Sequence, residues 1–402
     1  MADVTIEQKF WGIWVNTVAD VKNWATILDN ATRRQAEKLS RAPGIAGHVS
    51  LMPDAHLGRG ATVGSVIPTE LGTIIPAAVG VDIGCGMIAV RLNKTWDDFP
   101  EDMSYLVELF GQSIPAGVGR ERLDLLGKEL GGGVGKRVDE WFRSNPIPDP
   151  RGLDVPRSKR QLGTLGSGNH FVEVCVDEEH RVWVVLHSGS RGIGNNIATM
   201  FIKRAKDEST EKLEDNDLSG LRGRSFEQYI EMMEWAQSYA YINREFMMDA
   251  ALADIMSSVD DLHEEQRINC HHNFAAREVH FNKEVWLTRK GAIKADVDDM
   301  GIVPGSMGTA TFITKGLGNL DSYKSSAHGA GRQFSRGVAK RTFTVESLRK
   351  HMKGKAWNFR DAKALLDEHP GAYKPIAQIM EDQKDLTTVV HKLHQIVNYK
   401  GM

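Results

Sequence analysis

His328 is the residue of this 402-residue chain whose surroundings most favour nucleophilic chemistry. It opens the run His328-Gly329-Ala330-Gly331-Arg332. An imidazole is a neutral nucleophile near pH 7, and glycines let backbone N–H groups approach phosphate oxygens closely. The arginine can neutralise charge that develops on those oxygens. The run therefore indicates attack on a phosphate, although by itself it also fits an ordinary turn.

A second set of residues offers ligands for metal ions. Each member stands beside an apolar strand-like run or a glycine turn, where rigid elements can present side chains to a shared site. The set comprises Asp82, Cys85, His170, His187 and the pair His271-His272. Thiolate and imidazole donors by themselves favour zinc. Each histidine taken alone could equally be a hydrogen-bonded structural residue.

Composition narrows the class of protein. The hydrophobic fraction of 41% is ample for a large buried core. The net charge of −3 gives no overall attraction to nucleic acid, so any such site must be a local basic patch. Three cysteines are too few for a disulfide scaffold. We find neither a signal peptide nor an apolar run of the roughly 18 residues that span a bilayer, and we expect a cytoplasmic protein.

Hydrophobic spacing predicts the elements that position these residues. A helix is predicted in the first 45 residues from the spacing of Trp11, Trp14, Val18, Val21, Trp24 and Ile27. Further helices are predicted at 100–145, 225–258, 344–352, 359–368 and about 374–396, and strands at 46–92, 171–187 and 267–315. Strands that carry candidate ligands come from both halves of the chain. We therefore expect one α+β domain across residues 1–402 with a central metal site.

Together these motifs resemble those of the RtcB RNA ligases. The matching segments, in chain order, are Pro53-Asp54-Ala55-His56-Leu57-Gly58, Asp82-Ile83-Gly84-Cys85-Gly86, Gly168-Asn169-His170-Phe171, His187-Ser188-Gly189-Ser190-Arg191, His272-Asn273, Gly305-Ser306-Met307-Gly308-Thr309, His328-Gly329-Ala330-Gly331-Arg332 and Lys400-Gly401. The resemblance extends from about residue 46 to the end of the chain. It implies a single large mixed strand/helix domain of the RtcB type.

The resemblance implies an RNA ligase that uses GTP and two Mn²⁺ ions. Such an enzyme joins RNA 3′-phosphate or 2′,3′-cyclic phosphate ends to 5′-hydroxyl ends, in RNA repair or tRNA splicing. His328 would carry GMP, and the metals would be held by Asp82, Cys85, His170, His187 and His272. His272 is preferred to His271 because it directly precedes Asn273. The resemblance leaves open whether an archease-type activating partner is needed.

The resemblance also implies a guanosine pocket. Glu173 would accept hydrogen bonds from the guanine N1–H and 2-amino groups. The other nucleotide-binding positions would be Asn169, Ser306, Thr311, Ala330, Tyr373 and Lys400. The arginines expected at phosphates of the nucleotide or the RNA are Arg191, Arg332 and Arg336. Candidates for further RNA contacts are Arg157, Lys159 and Arg160.

Two other classes of function fit parts of the pattern. A two-metal phosphodiesterase or phosphatase could act on RNA ends without ligation, but hydrolysis does not need the histidine nucleophile at position 328. A binding module that acts at the ribosome would have no use for a thiolate, a carboxylate and several histidines in metal-ligand contexts. The ligase is therefore the favoured hypothesis.

Overall fold

The structure, a computed structural model, describes residues 9–10, 13–15, 20–122 and 133–401. Its strands are β1 (Lys9–Phe10), β2 (Ile13–Val15), β3 (Val21–Asn23), β4 (Val49–His56), β5 (Val63–Thr69), β6 (Gly86–Thr95), β7 (Phe171–Val176), β8 (Arg181–Ser188), β9 (Glu264–His271), β10 (Asn273–His280), β11 (Lys283–Lys290), β12 (Ala292–Lys294), β13 (Met300–Pro304), β14 (Thr311–Gly316), β15 (Ser325–Ala327), β16 (Ala356–Trp357) and β17 (Thr387–Lys400). Its α-helices are α1 (Asn30–Ser40), α2 (Pro76–Val79), α3 (Tyr105–Ser113), α4 (Gly133–Ser144), α5 (Val155–Gln161), α6 (Arg191–Glu208), α7 (Gly223–Met256), α8 (Arg336–Thr342), α9 (Val345–His351) and α10 (Ile376–Asp382).

The strands form three sheets, and the predicted mixture of strands and helices is confirmed. A seven-stranded sheet has the order β1-β2-β3-β4-β5-β11-β10, and β12 pairs with β15. An eight-stranded sheet has the order β13-β14-β17-β7-β8-β6-β9, with β16 beside β17. This sheet curls like a barrel, since Ile268 on β9 and Ile302 on β13, from its two ends, pack in one buried cluster. The one-domain organisation stays a prediction.

Strand register in the eight-stranded sheet brings the candidate ligands to one end. Phe171 on β7 pairs with His187 on β8 and with Lys400 on β17. Gly86, at the start of β6, pairs with Ser188 and His271. Because these antiparallel strands alternate in direction, the first residues of two strands and the last residues of the others meet at the same edge. The site can therefore be assembled from segments distant in sequence.

Helix α7 supports this edge, and its predicted extent is confirmed within two residues. Arg244 on α7 is fully buried and donates hydrogen bonds to the carbonyl oxygens of Gly84 at 2.8 Å and Ser188 at 3.2 Å. Its neighbour Asn243 donates to the carbonyl of Gly189 at 3.1 Å. The helix thus fixes two loops that carry metal-ligand candidates. No helix within the described ranges combines the length and apolar character needed to cross a bilayer.

The helix predicted in the first 45 residues is wrong for much of its length. Residues 21–23 form strand β3, which pairs in parallel with β4, and the first helix starts only at Asn30. Apolar residues three or four apart also occur where short strands are separated by turns, and pairing with β4 decides the outcome here. Trp11 and Val18 lie outside the described residues.

The helix predicted at about 374–396 is also largely wrong. Helix α10 ends at Asp382, and residues 387–400 form β17. Burial alternates at positions 393, 395 and 397, which is strand periodicity, and residues 397–400 at the end of the strand are all buried. The helix predicted at 359–368 is instead two 3₁₀ segments, Phe359–Asp361 and Ala364–Glu368. Helix α6 was not predicted from the sequence.

Candidate active site

The five predicted metal ligands lie in one connected cluster. The Cys85 thiol sulfur lies 3.5 Å from His170 Nε2 and 3.3 Å from His187 Nε2. His187 Nε2 lies 3.3 Å from His272 Nε2. Asp82 Oδ2 lies 3.2 Å from His170 Nε2. Donor atoms of all five side chains thus converge at the edge of the eight-stranded sheet.

The protonation of the histidines fits a bound cation. His170 Nδ1 faces the carbonyl of Leu165 at 2.9 Å, and His187 Nδ1 faces that of Asn169 at 3.2 Å. A ring that donates from Nδ1 keeps a lone pair on Nε2, which is how metal-binding histidines are oriented. Burial lowers the pKa of His187 and His272 well below the ordinary value. His187 Nε2 and His272 Nε2 lie 3.3 Å apart, so the two rings present nitrogens to the same point, as two ligands of one ion would.

The acidic members of the cluster fit a cation as well. Burial and the neighbouring Asp82 carboxylate raise the pKa of the Cys85 thiol well above its usual value, so the thiolate needs a cation nearby. Although burial opposes it, the neighbouring His170 and Arg191 lower the pKa of Asp82. A Cβ at Gly189 would lie 2.3 Å from Asp82 Oδ1, and the Ser190 N–H donates to that oxygen at 3.0 Å. A glycine at position 189 is therefore required for this loop to approach the carboxylate.

His328 lies beside the cluster and is oriented by Asp54. Its ring centroid is 4.7 Å from that of His272. His328 Nδ1 is 2.6 Å from Asp54 Oδ2, a short contact off the ideal hydrogen-bond direction, and Asp54 is fully buried. Since a carboxylate can only accept, this contact favours the His328 tautomer with its proton on Nδ1 and a lone pair on Nε2. Asp54 lies in the Pro53–Gly58 segment of the resemblance, but the sequence did not reveal its role.

Gly331, the second glycine after His328, has a packing role that the sequence did not suggest. Gly331 has a φ of +67°, which favours glycine, and a Cβ there would lie 2.1 Å from the Asp54 carbonyl oxygen. Gly331 therefore allows the turn to pack against β4 and bring His328 to Asp54. The expected contact of this turn with a phosphate stays a prediction.

A cavity of about 370 Å³ contains most of the predicted site residues. Those on its wall are Asp82, Cys85, Asn169, Glu173, His187, His272, Ser306, His328, Ala330, Arg332, Arg336, Tyr373 and Lys400. A second cavity of about 430 Å³ also reaches Asp82 and contains His170 and Arg191. Thr311 is buried on β14 and lines neither cavity. The cluster of candidate metal ligands therefore lies where the two cavities meet.

Glu173 is buried on β7 in the wall of the first cavity. Its Oε1 accepts hydrogen bonds from the side-chain amides of Gln395 at 2.7 Å and Asn398 at 2.6 Å, both on β17. Burial raises the pKa of Glu173 to about 8. A carboxyl group held by two amides has a fixed orientation, as a group that reads a base edge requires.

The arginines predicted to bind phosphate are engaged with the protein itself. Arg332 donates from Nε to the Phe334 carbonyl at 3.1 Å and from its terminal nitrogens to the Asp367 carbonyl at 2.6 Å and the Tyr373 hydroxyl at 3.0 Å. Arg191 has a φ of +56° and lies 3.4 Å from His170 Nδ1. A positive φ outside glycine is strained and is often found at functional sites. Their phosphate contacts stay predictions.

The candidates for further RNA contacts are also paired. Arg157 and Arg160 both contact Glu121, at 3.1 and 2.5 Å, and Lys159 contacts Asp139 at 2.7 Å. Of the three, Arg157 lines the second cavity. Ion pairing reduces the local positive field that RNA would encounter at all three residues, so the choice among them rests on Arg157 lining the second cavity. Arg157 is the better placed candidate.

Lys290 is a cavity residue that the sequence did not reveal. It is buried at the end of β11, and its ammonium donates to the carbonyl oxygens of Arg59 at 2.6 Å and Ala77 at 2.9 Å. Burial lowers the pKa of Lys290 to about 7. In the sequence, the signal that could have pointed to Lys290 is its position directly before the glycine turn at Gly291. A third lysine hydrogen remains for a group in the cavity.

Comparison with known proteins agrees with the geometry. A family model described as tRNA-splicing ligase RtcB matches residues 35–401. The chain belongs to the RtcB family. Over 95% of its length it is 41% identical to the RNA-splicing ligase RtcB of Escherichia coli K12, of which 98% is covered. It is 30% identical to the tRNA-splicing ligase RtcB of Thermococcus kodakarensis, over 87% of this chain and 86% of that protein.

Membership in the RtcB family explains why the motifs occur together and in this order. The family model covers every predicted site residue, from Asp82 to Lys400. The matched residues also include Asp54 and Lys290, which the sequence did not single out. The matched range therefore contains the whole candidate site.

Proposed function

We propose that this chain is a GTP-dependent RNA ligase that joins 3′-phosphate or 2′,3′-cyclic phosphate ends to 5′-hydroxyl ends. RNA ligation, as the coarse activity, is supported by the family and by relatives that are named RNA- or tRNA-splicing ligases. GTP, manganese and the chemistry of the ends are our proposal. The two-metal phosphodiesterase has no such support.

The placement of His328 carries the proposal. Its ring contacts Asp54 on one side and stands next to His272 on the other, inside one cavity. An enzyme that only hydrolysed phosphates could activate water with its metal ions and would not need an imidazole nucleophile in this position. An oriented Nε2 beside a cation cluster instead fits transfer of a nucleotide through the histidine.

The reaction balances as three transfers at phosphorus. First, His328 Nε2 attacks the α-phosphorus of GTP, a P–N bond forms, and pyrophosphate leaves. An oxygen of the RNA 3′-phosphate then attacks that phosphorus, the P–N bond breaks, and the RNA end carries GMP through a pyrophosphate link. Finally, the 5′-hydroxyl oxygen attacks the RNA phosphorus and loses its proton, a phosphodiester forms, and GMP leaves. A cyclic phosphate must first be opened by water.

The residues of the site have matching roles. Asp54 holds the His328 ring and its Nδ1 proton through the first two transfers. Asp82, Cys85, His170, His187 and His272 would hold two Mn²⁺ ions, which when bound would neutralise phosphate charge. The donor set fits metal binding but does not by itself choose manganese.

The second cavity offers a path for RNA. It meets the first at Asp82 and is lined by Arg157, Arg191 and Asn195. Cationic and amide side chains in a groove suit phosphate and sugar contacts. One RNA end would thus reach the metal cluster through this cavity while the nucleotide occupies the other. An archease-type partner and a cytoplasmic location stay predictions.

We expect Glu173→Gln to weaken the preference for GTP over ATP by at least about tenfold, the value of a charged hydrogen bond. The two guanine donors stabilise the ionised carboxylate and so lower its raised pKa on binding. The carboxylate then accepts from both the N1–H and the 2-amino group of guanine, whereas an amide presents one donor in their place. The measurement is covalent labelling of the protein with each radioactive nucleotide. Glu178→Gln, the same change at an exposed residue after β7, is the matched control. Equal labelling of the wild type by ATP and GTP would refute the guanine pocket.

Paired RNA fragments test the proposed activity. With GTP and Mn²⁺, we expect the protein to join a 3′-phosphate fragment to a 5′-hydroxyl fragment. It should not join a 3′-hydroxyl fragment to a 5′-phosphate fragment, because histidine-bound GMP is useful only if a phosphate accepts it. The opposite preference would overturn the mechanism. Release of inorganic phosphate from the 3′ end without joining would favour the hydrolytic alternative.

A further inference from the structure

Glu368 is a buried carboxylate in the cavity wall, and the proposed reaction gives it no role. It ends the 3₁₀ segment Ala364–Glu368, and its side chain is 3% exposed. Its Oε2 accepts a hydrogen bond from the Tyr373 hydroxyl at 2.6 Å and contacts Lys400 Nζ at 3.1 Å. Its Oε1 contacts Arg336 at 2.5 Å and Arg332 at 3.3 Å. One carboxylate therefore contacts four cavity residues.

These four residues come from separate elements that meet at Glu368. Arg332 follows β15, Arg336 begins α8, and Tyr373 follows the short 3₁₀ turn Pro370–Ala372. Lys400 ends β17. Its ammonium also lies 3.5 Å from the Asn169 carbonyl and 5.5 Å from the centre of the Phe171 ring, both longer than its contact with Glu368. Glu368 is thus the closest anchor of Lys400 among the described residues.

The charge on Glu368 supports an anchoring role. Although burial opposes it, the nearby Lys400 and Arg336 hold the pKa of Glu368 at about 2. Glu173, in the same cavity, has a pKa raised to about 8 by burial. Of these two carboxyl groups, Glu368 is therefore the one that is ionised throughout the neutral pH range. Removing the charge would leave three cations close together without their shared partner, a costly arrangement in a buried site.

We propose that Glu368 is a positioning residue that sets the affinity for GTP by holding Lys400 and Tyr373 in place in the nucleotide cavity. The inference rests on the proposed function, in which this cavity binds GTP. Glu368 does not act at the α-phosphate, because its contacts lie on Tyr373, Lys400 and the arginines rather than on His328 or the metal cluster. Its loss should therefore change binding of GTP more than the chemical step.

The test measures the rate of covalent GMP labelling against GTP concentration for the full-length protein with Mn²⁺. For Glu368→Gln we expect the half-saturating GTP concentration to rise roughly 10- to 100-fold, the range of a charged hydrogen bond, with a maximal rate within about threefold of wild type. Asp367→Asn is the matched control. Asp367 contacts Arg336 at 2.8 Å and Lys340 at 3.5 Å through its side chain but does not contact Lys400. The control should remain within about threefold of wild type.

A double variant separates positioning from a general effect on folding. In a Lys400→Met background, the Glu368→Gln change should raise the half-saturating concentration much less than it does alone, since its partner is already absent. Full additivity of the two changes would overturn the proposal. So would a wild-type half-saturating concentration in Glu368→Gln, or a fall in maximal rate alone. If Glu368→Gln fails to fold, as judged by circular dichroism, Glu368→Asp takes its place in the same series.

The outcome is distinguishable from failure of the proposed function. Absence of labelling in the wild type would reject GTP-dependent transfer itself. Normal labelling of the wild type together with unchanged GTP dependence in Glu368→Gln would reject only the role of Glu368. Both measurements use the same protein, nucleotide and metal, so a single experiment gives both answers.

Discussion

His328→Ala is expected to lose the covalent GMP adduct and to reduce RNA joining at least about 10³-fold, as removal of a nucleophile commonly does. Without Nε2 at this position no P–N bond can form, and the later transfers have no activated phosphate. The change removes an imidazole that is partly exposed in the cavity, so the protein should remain folded. The measurements are nucleotide labelling, ligation of labelled fragments and thermal unfolding.

Binding of Mn²⁺ is the control measurement for this prediction. His328→Ala should bind Mn²⁺ as the wild type does, because the five predicted ligands are retained. Asp54→Asn should give an intermediate loss, since Nε2 is kept but its orientation is weakened. An adduct of normal yield in His328→Ala would assign the nucleophile to another residue.

His272→Ala is expected to reduce GMP labelling at least about 100-fold, more than the loss typical for residues that only support a ligand. His272 Nε2 lies 3.3 Å from His187 Nε2, inside the cluster. His271→Ala is the matched control at the adjacent position. His271 Nδ1 contacts the Gly84 carbonyl at 2.8 Å and Arg244 at 3.2 Å, away from the cluster. We expect its effect to stay below about tenfold.

Titration of Mn²⁺ connects the loss to the metal. The half-saturating Mn²⁺ concentration for labelling should rise strongly in His272→Ala and little in His271→Ala. Equal losses in the two variants, or a larger loss in His271→Ala, would contradict the choice of His272 as the ligand. Metal binding also requires deprotonated ligands, so labelling should fall as pH is lowered.

The set of candidate ligands could be predicted from sequence because each residue type has distinctive chemistry in a distinctive setting. Cys85, three positions after Asp82, and histidines at strand ends indicate a metal site even when the fold is not known. The sequence could not show that Phe171 pairs with both His187 and Lys400, which is what brings these segments together. Strand register depends on partners far along the chain.

The residues that support the site could not be predicted from the sequence for the same reason. Asp54, Lys290 and Glu368 are ordinary charged residues in sequence, and their roles arise from what they contact across the cavity. The sequence predicts a helix over much of the last strand because apolar residues at 393, 396 and 397 also satisfy helical spacing. Pairing of β17 with β7 and β14 decides in favour of the strand.

The most direct test of the account is the mass of the intact wild-type protein after incubation with GTP and Mn²⁺, followed by peptide mapping. We predict an increase equal to one GMP, with the modification on His328 through an acid-labile P–N bond. Substituting ATP should give much less adduct. GMP found on a lysine, such as Lys290 or Lys400, or no adduct under conditions where RNA ends are joined, would contradict the account.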